Sequence, residues 1–215
     1  MKGHPLDEVD IQKDLGVIMD CDMKFHQQTS AAVKKANQLL GMIKKTFSLK
    51  TEKTIPSLYT TLVRPHLEYA NVIWGPHFIK DQQAVESVQR RATQLIPNLK
   101  HLSYVSRMEH LKLPSLVHRR RRGDMITTYK IITEKINVDK NLFFEFQHNT
   151  KTRGHSLKIF KRHAKSLVKR TSFSTRVVND WNSLPNSVVE SKSINAFKNA
   201  LDKYWSNEKY ATPFN

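Results

Sequence analysis

Hydrophobic residues recur at every third or fourth position along most of the chain, which is the spacing of amphipathic helices. The clearest case runs from Phe25 to Phe47, where lysines lie largely off the apolar face, and predicts one long helix. A short apolar run at residues 17–19, followed by an Asp-Cys-Asp turn, predicts a strand. The first ten residues are polar and aperiodic, so we expect a loose leader.

Residues 51–96 predict a helix up to a break at Arg64-Pro65, an apolar run that resumes after it, and a second helix after a stop at Gly75-Pro76. Thr51 or Thr54 opens the first, and Pro65 interrupts or re-aims it because proline has no amide hydrogen. Asp81 is placed to cap the second, whose apolar positions share one face. The loops are short, which favours antiparallel neighbours, so this region and the preceding helix predict a bundle of about four helices.

The next region predicts a short helix within residues 99–113 and a longer one from Pro114. The longer helix contains four consecutive arginines, Arg119 to Arg122, which span about 300° of its circumference because each residue turns about 100°. They cannot share one solvated face, so at least one meets another segment or a ligand. Pairing of Asp124 with Arg120 is the structural alternative, whereas phosphate binding and a nuclear-localisation-like cluster are the functional ones.

Beyond residue 137 the composition becomes linker-like, which predicts a subdomain boundary within 137–153. Ser156–Lys161 and Leu167–Phe173 alternate apolar and basic positions, as the two strands of a basic hairpin do. A helix follows, and a last helix begins after Ser193 as its N-cap. We expect the tail after Ser206 to fray.

The predicted fold class is mainly α: a helical bundle followed by a small α+β C-terminal region with a short basic β-hairpin. The predicted parts are a leader with a short strand (1–24), the bundle (25–97), an arginine-bearing helical region (98–140) and a C-terminal α+β subdomain (141–215). With 39% hydrophobic residues, the chain contains enough apolar side chains for a core.

Charge gives the strongest indication of a partner. The chain has 36 Lys and Arg against 19 Asp and Glu, a formal charge of +17. Such an excess favours a polyanionic partner, and nucleic acid is the first candidate. A generically basic protein and one associated with a ribosome or a membrane surface are the alternatives.

The single cysteine, Cys21, excludes an internal disulfide and every multi-cysteine zinc site. There is no apolar run of about 18 residues and no signal-peptide pattern. We therefore expect an intracellular protein, in the nucleus or cytoplasm, that is not secreted and has no membrane partner.

Catalytic patterns are absent from the sequence. Template-directed polymerisation needs closely placed carboxylates that hold two metal ions, and the nearest approach, Asp20 and Asp22, is more simply a turn. The ten histidines are scattered, and His155, beside a turn glycine, is predicted to be a surface hydrogen bonder. We expect no catalytic residues, no metal and no cofactor.

The candidate nucleic-acid contacts are cationic side chains on the predicted helices and the predicted hairpin. Arginine matches phosphate bidentately and lysine as a point charge, so these residues predict binding to the backbone without sequence readout. The set is Lys34, Lys35, Lys44, Lys45, Arg90, Arg91, Arg119, Arg120, Arg121, Arg122, Arg153, Lys158, Lys161, Arg162, Lys169 and Arg170.

Several segments stand in a recognisable order: KDLGVIMD, LYTTLVRPHLEYANVIWGP, ESVQRRATQLIPNLKHLSYVSRMEHLKLPSL, RRRRGDMITTYKI, TRGHSLK, RVVNDWNSLP and SINAFKNALDKYW. Together they resemble the region after the polymerase palm in non-LTR retrotransposon (LINE-type) reverse transcriptases. The resemblance covers nearly the whole chain in the family's order, which makes it more specific than any single motif.

This resemblance implies that residues 1–24 are a palm remnant and that residues 25–97 correspond to the thumb, which grips the template-primer duplex. It implies no activity by this chain on its own, since the catalytic palm, the fingers and any endonuclease are missing. The chain would be a fragment of an RNA-directed DNA polymerase. Its partners would be RNA, DNA or their hybrid, held through phosphates, and the missing palm and fingers portion.

Two other interpretations remain open from the sequence. The bundle can be a protein-interaction or assembly module that uses the apolar surface once docked on the palm. The chain can also be a non-functional retrotransposon remnant, although helix periodicity and caps stay coherent from Phe25 to Trp205, which argues mildly against complete decay.

Overall fold

A computed structural model describes residues 9–147 and 154–212. These residues form a mainly helical fold with one small antiparallel sheet, so the predicted mainly α class with a short hairpin is confirmed. In the described ranges, none of the helices combines the length and the apolar character that a membrane crossing requires.

The sheet is a β-hairpin of two four-residue strands, β1 (Ile11–Asp14) and β2 (Val17–Asp20). Ile11 lies opposite Asp20 and Asp14 opposite Val17. The two turn residues, Leu15 and Gly16, both have positive φ angles, 44° and 83°, as a tight two-residue hairpin turn requires. The strand predicted at residues 17–19 is therefore confirmed.

The N-terminal bundle follows the hairpin, and its longest helix, α1, packs against α5 and α3. A π-helical turn at Tyr59–Val63 joins α2 and α3 into one continuous helix, and its wider turn immediately precedes Pro65. The helix therefore continues through Pro65 and ends at Glu68. The helices are α1 (His26–Thr46), α2 (Thr54–Leu58), α3 (Arg64–Glu68), α4 (Asn71–Trp74) and α5 (Ile79–Gln94).

The predicted capping role of Asp81 is wrong. Helix α5 begins two residues earlier, at Ile79, with Phe78 in the capping position. Asp81 lies instead in the first turn, where its Oδ2 is 2.5 Å from Nδ1 of His26 at the start of α1. This contact joins the two longest helices of the bundle at one end.

Serine caps begin four of the helices in the second half of the described chain. Ser103, Ser115, Ser166 and Ser193 each accept a hydrogen bond from the amide three residues later, so the predicted Ser193 cap is confirmed. The helices are α6 (Tyr104–His110), α7 (Leu116–Ile132), α8 (Leu167–Thr171), α9 (Phe173–Ser183), α10 (Asn186–Val189) and α11 (Ile194–Tyr204), with 3-10 turns at Pro97–Leu99, Lys140–Leu142 and Ser206–Glu208.

The predicted basic hairpin at residues 156–173 is wrong in its location. Its second half is helix α8, because Ser166 caps a helical turn there. Its first half forms only an isolated bridge between Ile159 and Phe146. This segment is held by α9 instead: Trp181 donates its Nε1–H to the Leu157 carbonyl at 2.8 Å, and Ile159 donates its amide to Asn182 Oδ1 at 2.9 Å.

Two hydrophobic cores meet along α7. Leu116 at its start belongs to the bundle core, and residues from Met125 onward belong to a C-terminal core built around Tyr129, Trp181 and Phe197. The hydrophobic cores therefore divide within α7, between these two points. A small third cluster around Trp74 joins the hairpin to the bundle.

The C-terminal tail returns to α7. Ser115 donates its amide to the Lys209 carbonyl at 3.1 Å and its hydroxyl to the Ala211 carbonyl at 2.8 Å. The expectation that the chain frays beyond Ser206 is thus wrong for the described part of the tail, which closes over the junction between the two cores.

Candidate nucleic-acid interface

The arginine run of α7 lies at the junction of the two cores and is largely engaged in internal ion pairs. Arg119 forms a two-point contact with the carboxylate of Glu68 at the end of α3. Hydrogen bonding to this carboxylate raises the pKa of Arg119. This ion pair therefore connects α7 to the bundle.

The next arginines pair with the C-terminal region. Arg121 contacts both oxygens of Asp180 at 3.0 and 3.1 Å and donates to Glu208 at 2.7 Å. Its guanidinium also lies 4.8 Å from the ring centroid of Trp205. Arg122 contacts Asp202 at 2.5 and 2.8 Å. Three of the four arginines are thus directed towards protein carboxylates.

The expected pair between Arg120 and Asp124 does not form. Both carboxylate oxygens of Asp124 accept hydrogen bonds from Arg176 on α9, at 2.9 and 3.0 Å. Arg176 also donates to the carbonyl oxygens of Asn71 and Val72 at 3.3 and 2.9 Å. Arg176 therefore connects α9, α7 and α4, although nothing in its local sequence distinguishes it from a surface arginine.

A different set of cations converges on a groove between α1 and α5. The groove has a volume of about 690 Å³. Lys44, Arg91 and Lys100 line it together with two amides, Asn37 and Gln94, and an apolar floor. No carboxylate contributes to this lining. We call these residues the basic groove: Asn37, Leu40, Gly41, Lys44, Arg91, Gln94, Leu95 and Lys100.

Both walls of the basic groove come from stretches without acidic residues. Residues 23–51 and 87–108 contain no Asp or Glu. Arg91 donates to the hydroxyl and the carbonyl of Ser87, which orient its side chain without neutralising it. Lys44 and Lys100 are exposed and form no ion pair with any described residue. The groove therefore presents three uncompensated positive charges.

Only two of the predicted contacts, Lys44 and Arg91, lie in the basic groove. Of the others in the bundle, Lys34, Lys35 and Lys45 are exposed on α1, and Arg90 lies 5.0 Å from the ring centroid of Tyr104. Sequence reasoning missed Asn37 and Gly41, although their spacing places them on the same helical stripe as Lys44. It also missed Lys100, which the 3-10 turn at Pro97–Leu99 brings alongside.

The C-terminal candidates are more dispersed. Arg162 pairs with Glu145 at 2.7 Å, and Lys161 donates to Asn179 at 3.0 Å. The side chain of Lys158 packs beside Gly154. Lys169 and Arg170 are exposed on α8, and Arg153 lies outside the described residues. Residues 146–179 contain no Asp or Glu, so this stretch is uniformly basic despite the loss of the predicted hairpin.

The predicted surface position of His155 is wrong. His155 is buried, its Nε2 lies 3.1 Å from the Trp181 carbonyl oxygen, and its ring packs edge-on against the Trp181 indole. Burial lowers the pKa of His155, so the neutral form is favoured. The sequence around Gly154-His155, in which apolar and basic residues alternate, does not distinguish a buried histidine from an exposed one.

The carboxylates near the hairpin have a local role. Asp20 accepts hydrogen bonds from the amides of Lys24 and Phe25 at 2.8 and 3.3 Å, and Asp22 pairs with Lys24 at 2.7 Å. These contacts shape the turn into α1. Within residues 9–147 and 154–212, no three His, Cys, Asp or Glu side chains are grouped as a metal site requires.

A buried polar network, which sequence reasoning missed, supports the wall of the groove. Glu86 on α5 accepts from the Tyr104 hydroxyl at 2.6 Å and from the Leu116 amide at 3.0 Å. Gln89 accepts from the Tyr59 hydroxyl at 3.0 Å and donates to the Pro114 carbonyl at 3.1 Å. Burial raises the pKa of Glu86. The network fixes α5 against α6 and α7, so the face carrying Arg91 is rigidly placed.

Comparison with known proteins yields no relative. No protein-family model, no curated protein sequence and no solved structure matches this chain.

Proposed function

We propose that the chain binds the phosphate backbone of a nucleic acid in the basic groove between α1 and α5. The observation that carries this proposal is the convergence of Lys44, Arg91 and Lys100 on one groove whose lining contains no carboxylate. The resemblance to the thumb of LINE-type reverse transcriptases supports it, since every lining residue of the groove except Lys100 falls within residues 25–97, to which that resemblance assigns the thumb. Catalysis of polymerisation would then require a palm supplied by another part of the protein or by another chain.

The chemistry of the groove favours phosphate over base edges. Arginine offers a planar fork and lysine a point charge, both suited to phosphate oxygens. The amides of Asn37 and Gln94 add neutral donors beside these charges. Leu40 and Leu95 provide an apolar floor against which a sugar can pack. Such a surface holds the backbone and reads little sequence.

The partner we propose is a template-primer duplex, whether RNA, DNA or a hybrid, inside the cell in the nucleus or cytoplasm. The formal charge of +17 supports attraction to any of these. Ion pairing of the α7 arginines leaves the groove as the best-defined set of uncompensated charges in the described chain. The proposed binding site therefore contains fewer cations than the full set of contacts that the sequence predicts.

The test is binding to labelled DNA duplex, RNA duplex and RNA–DNA hybrid, followed by fluorescence anisotropy between about 50 and 200 mM salt. On duplex DNA, the logarithm of the affinity should fall linearly with that of salt, by about 0.9 per phosphate contact. The triple variant Lys44→Gln, Arg91→Gln, Lys100→Gln should reduce the magnitude of that slope by about 2.7, three times 0.9.

Lys35→Gln is the matched control. Lys35 lies nine residues before Lys44 on α1, a rotation of about 900°, which places it on the opposite side of the helix. We expect its slope to equal that of the wild type. The proposal is rejected if the triple variant keeps the wild-type slope, or if the wild type shows no binding to any of the three duplexes at about 50 mM salt.

A second candidate function is assembly through the apolar surface beside the hairpin. Leu15 is 83% exposed and Tyr69 is 57% exposed, and the two are joined by a hydrogen bond from the Tyr69 hydroxyl to the Leu15 carbonyl at 2.8 Å. Exposed apolar side chains held in place are typical of contact surfaces. Light scattering tests this function: a salt-insensitive oligomer that Leu15→Asn dissociates would favour assembly over nucleic-acid binding.

A further inference from the structure

One arginine of the α7 run differs from its neighbours. The Nη1 and Nη2 atoms of Arg120 are buried and have no hydrogen-bond partner among the residues that the structure describes. Arg119, Arg121 and Arg122 all contact carboxylates, as shown above. A buried guanidinium without acceptors is costly, because its donors have left water without replacement.

Three carboxylates act electrostatically on Arg120, but each is bound elsewhere. Glu86 accepts from Tyr104 and Leu116, Glu68 from Arg119, and Asp124 from Arg176. Burial lowers the pKa of Arg120 to about 10, which still leaves the side chain charged at neutral pH. The site therefore contains a positive charge whose Nη donors lack an acceptor among the described residues.

Arg120 lines a pocket of about 310 Å³ between α4 and α7. Asn71 lines the same pocket, and its side-chain Oδ1 is also buried without a partner in the described chain. A 180° rotation of the side-chain amide presents Nδ2 as a donor at the same place. Thr127 adds a hydroxyl. At Gly123, apart from the adjacent residues and the backbone of the helix itself, no heavy atom lies within 4 Å of the place that a Cβ would take.

We propose that this pocket binds a phosphate group. The guanidinium of Arg120, the amide of Asn71 and the hydroxyl of Thr127 are donors that need acceptor oxygens and negative charge. Glu68 and Asp124 also line the pocket, but their contacts with Arg119 and Arg176 offset their repulsion of an anion. A metal cation is disfavoured there by the same arginines.

Phosphate suits the pocket better than a carboxylate ligand does. Phosphate has more acceptor oxygens than a carboxylate, so it can satisfy the guanidinium fork and the donors on Asn71 and Thr127 together. A carboxylate has only two oxygens, and a bidentate guanidinium contacts both, so the donors on Asn71 and Thr127 would have to share them. The ligand class is thus inorganic phosphate or a terminal phosphate ester. The proposal is independent of the basic groove, which shares no residue with this pocket.

The first test measures the unfolding midpoint temperature of the full chain as inorganic phosphate is titrated at constant ionic strength, with acetate as the comparison anion. Phosphate should raise the midpoint saturably because it binds the folded state, and acetate should not. Arg120→Met should lose at least about tenfold in phosphate affinity, the effect of removing hydrogen bonds to a charged group. Its midpoint without phosphate should be unchanged or higher, since an unpaired buried charge is gone.

Asn71→Asp is the second variant and keeps the test valid if Arg120→Met does not fold. It places a carboxylate in the pocket, so it should raise the phosphate-free midpoint and weaken phosphate binding. Lys192→Gln, at an exposed lysine that lines neither this pocket nor the basic groove, is the control and should keep the full phosphate response. Equal phosphate responses in the wild type and the pocket variants, or an acetate response equal to that of phosphate, would overturn the proposal.

The source of the phosphate is resolved with two oligonucleotides that differ only in a 5′-phosphate or a 5′-hydroxyl. A preference for the phosphorylated strand that Arg120→Met abolishes supports a terminal nucleic-acid phosphate. Equal binding of the two strands, with the inorganic phosphate response intact, supports a free phosphate ligand. Loss of groove binding in the triple variant leaves both results unaffected, so the two proposals fail separately.

Discussion

The arginine run of α7 and the basic groove are both rich in positive charge, yet they have opposite relations to acidic residues. The run, Arg119–Arg122, is the densest charge in the sequence, and Glu68, Asp180, Asp202 and Glu208 converge on it in the fold. The groove collects Lys44, Arg91 and Lys100 from stretches without acids. Accessible charge therefore follows where the carboxylates fold, and not how densely the cations follow one another along the chain.

The junction between the two cores explains why arginines occupy the run. Leu116 belongs to one core and Met125 to the other, so the intervening turns of α7 must contact both halves of the molecule. A guanidinium fork binds a carboxylate at two points with fixed geometry, which a lysine cannot do. Arg119 contacts the bundle, and Arg121 and Arg122 contact the C-terminal region.

Arg119→Gln provides the largest expected effect. It leaves the partly buried Glu68 carboxylate with Arg64, 3.7 Å away, as its remaining ion-pair partner in the described chain. We expect the free energy of unfolding to fall by about 1.5–3 kcal/mol, the range for hydrogen bonds to charged groups, while the salt slope of duplex binding stays unchanged. Urea unfolding and anisotropy measure the two quantities.

Arg91→Gln is the converse control for this prediction. Arg91 is exposed and bonds only to neutral groups of Ser87 among the described residues, so its removal should change stability by no more than about 0.5 kcal/mol. It should reduce the salt slope by about 0.9. If Arg119→Gln flattened the slope without loss of stability, the structural role of the run would be wrong.

Acidification should have a smaller effect on the free energy of unfolding, and this effect comes from buried histidines. Burial lowers the pKa values of His77, His118 and His155 below the ordinary 6.5, so the unfolded chain binds more protons in this range. Their contribution to stability is complete above about 6.5 and is lost as the pH falls from there through the lower folded-state pKa values. Urea unfolding between about pH 7 and pH 5 measures this loss.

His118 links this pH effect to the arginine run. Arg121 and Arg122 both help to lower its pKa, after the larger effect of burial, because a protonated His118 would add a positive charge beside them. His118→Leu should therefore flatten the pH dependence of stability. Glu86 and Asp124, whose pKa values burial raises, act with the opposite sign at lower pH. A pH profile identical in His118→Leu and the wild type would contradict this assignment.

Helical periodicity was sufficient to place the long elements. The apolar stripe from Phe25 predicts α1 closely, and Ser193 predicts the start of α11, because both depend on interactions within a few residues. The alternation of apolar and basic residues at 156–173 predicts a hairpin that does not form. The N-cap formed by Ser166 and the contacts with α9 determine the structure there instead. The alternation of apolar and basic residues cannot predict contacts with a helix that lies far away in the sequence.

The candidate site was less predictable than the fold. Residue type identified Lys44 and Arg91, but the groove also needs Lys100, which a 3-10 turn brings beside a helix that ends more than fifty residues earlier. Arg120 was expected to pair with Asp124, its neighbour on the same helix, and Arg176 takes that carboxylate instead. Competition between arginines for one carboxylate depends on the tertiary fold, so local spacing does not determine it.

Gly41→Ala has the smallest expected effect and tests the groove from its floor. Gly41 lies inside α1, and apart from the adjacent residues and the backbone of the helix itself no heavy atom lies within 4 Å of the place that its Cβ would take. Alanine should raise the free energy of unfolding by about 0.5–1 kcal/mol through helix propensity, without closing the groove. Gly123→Ala in α7 is equally unobstructed and should give a similar gain. Urea unfolding measures both variants.

Gly41→Glu separates the electrostatic effect from this gain. It also removes the glycine, but it places a carboxylate in the lining that contains Lys44 and Arg91, so duplex affinity at low salt should fall while the helix stays intact. Gly41→Gln is isosteric and uncharged, and should retain more of the affinity than Gly41→Glu. Equal affinities for these two variants would mean that the groove contributes shape and no electrostatic attraction, because they differ only in one negative charge.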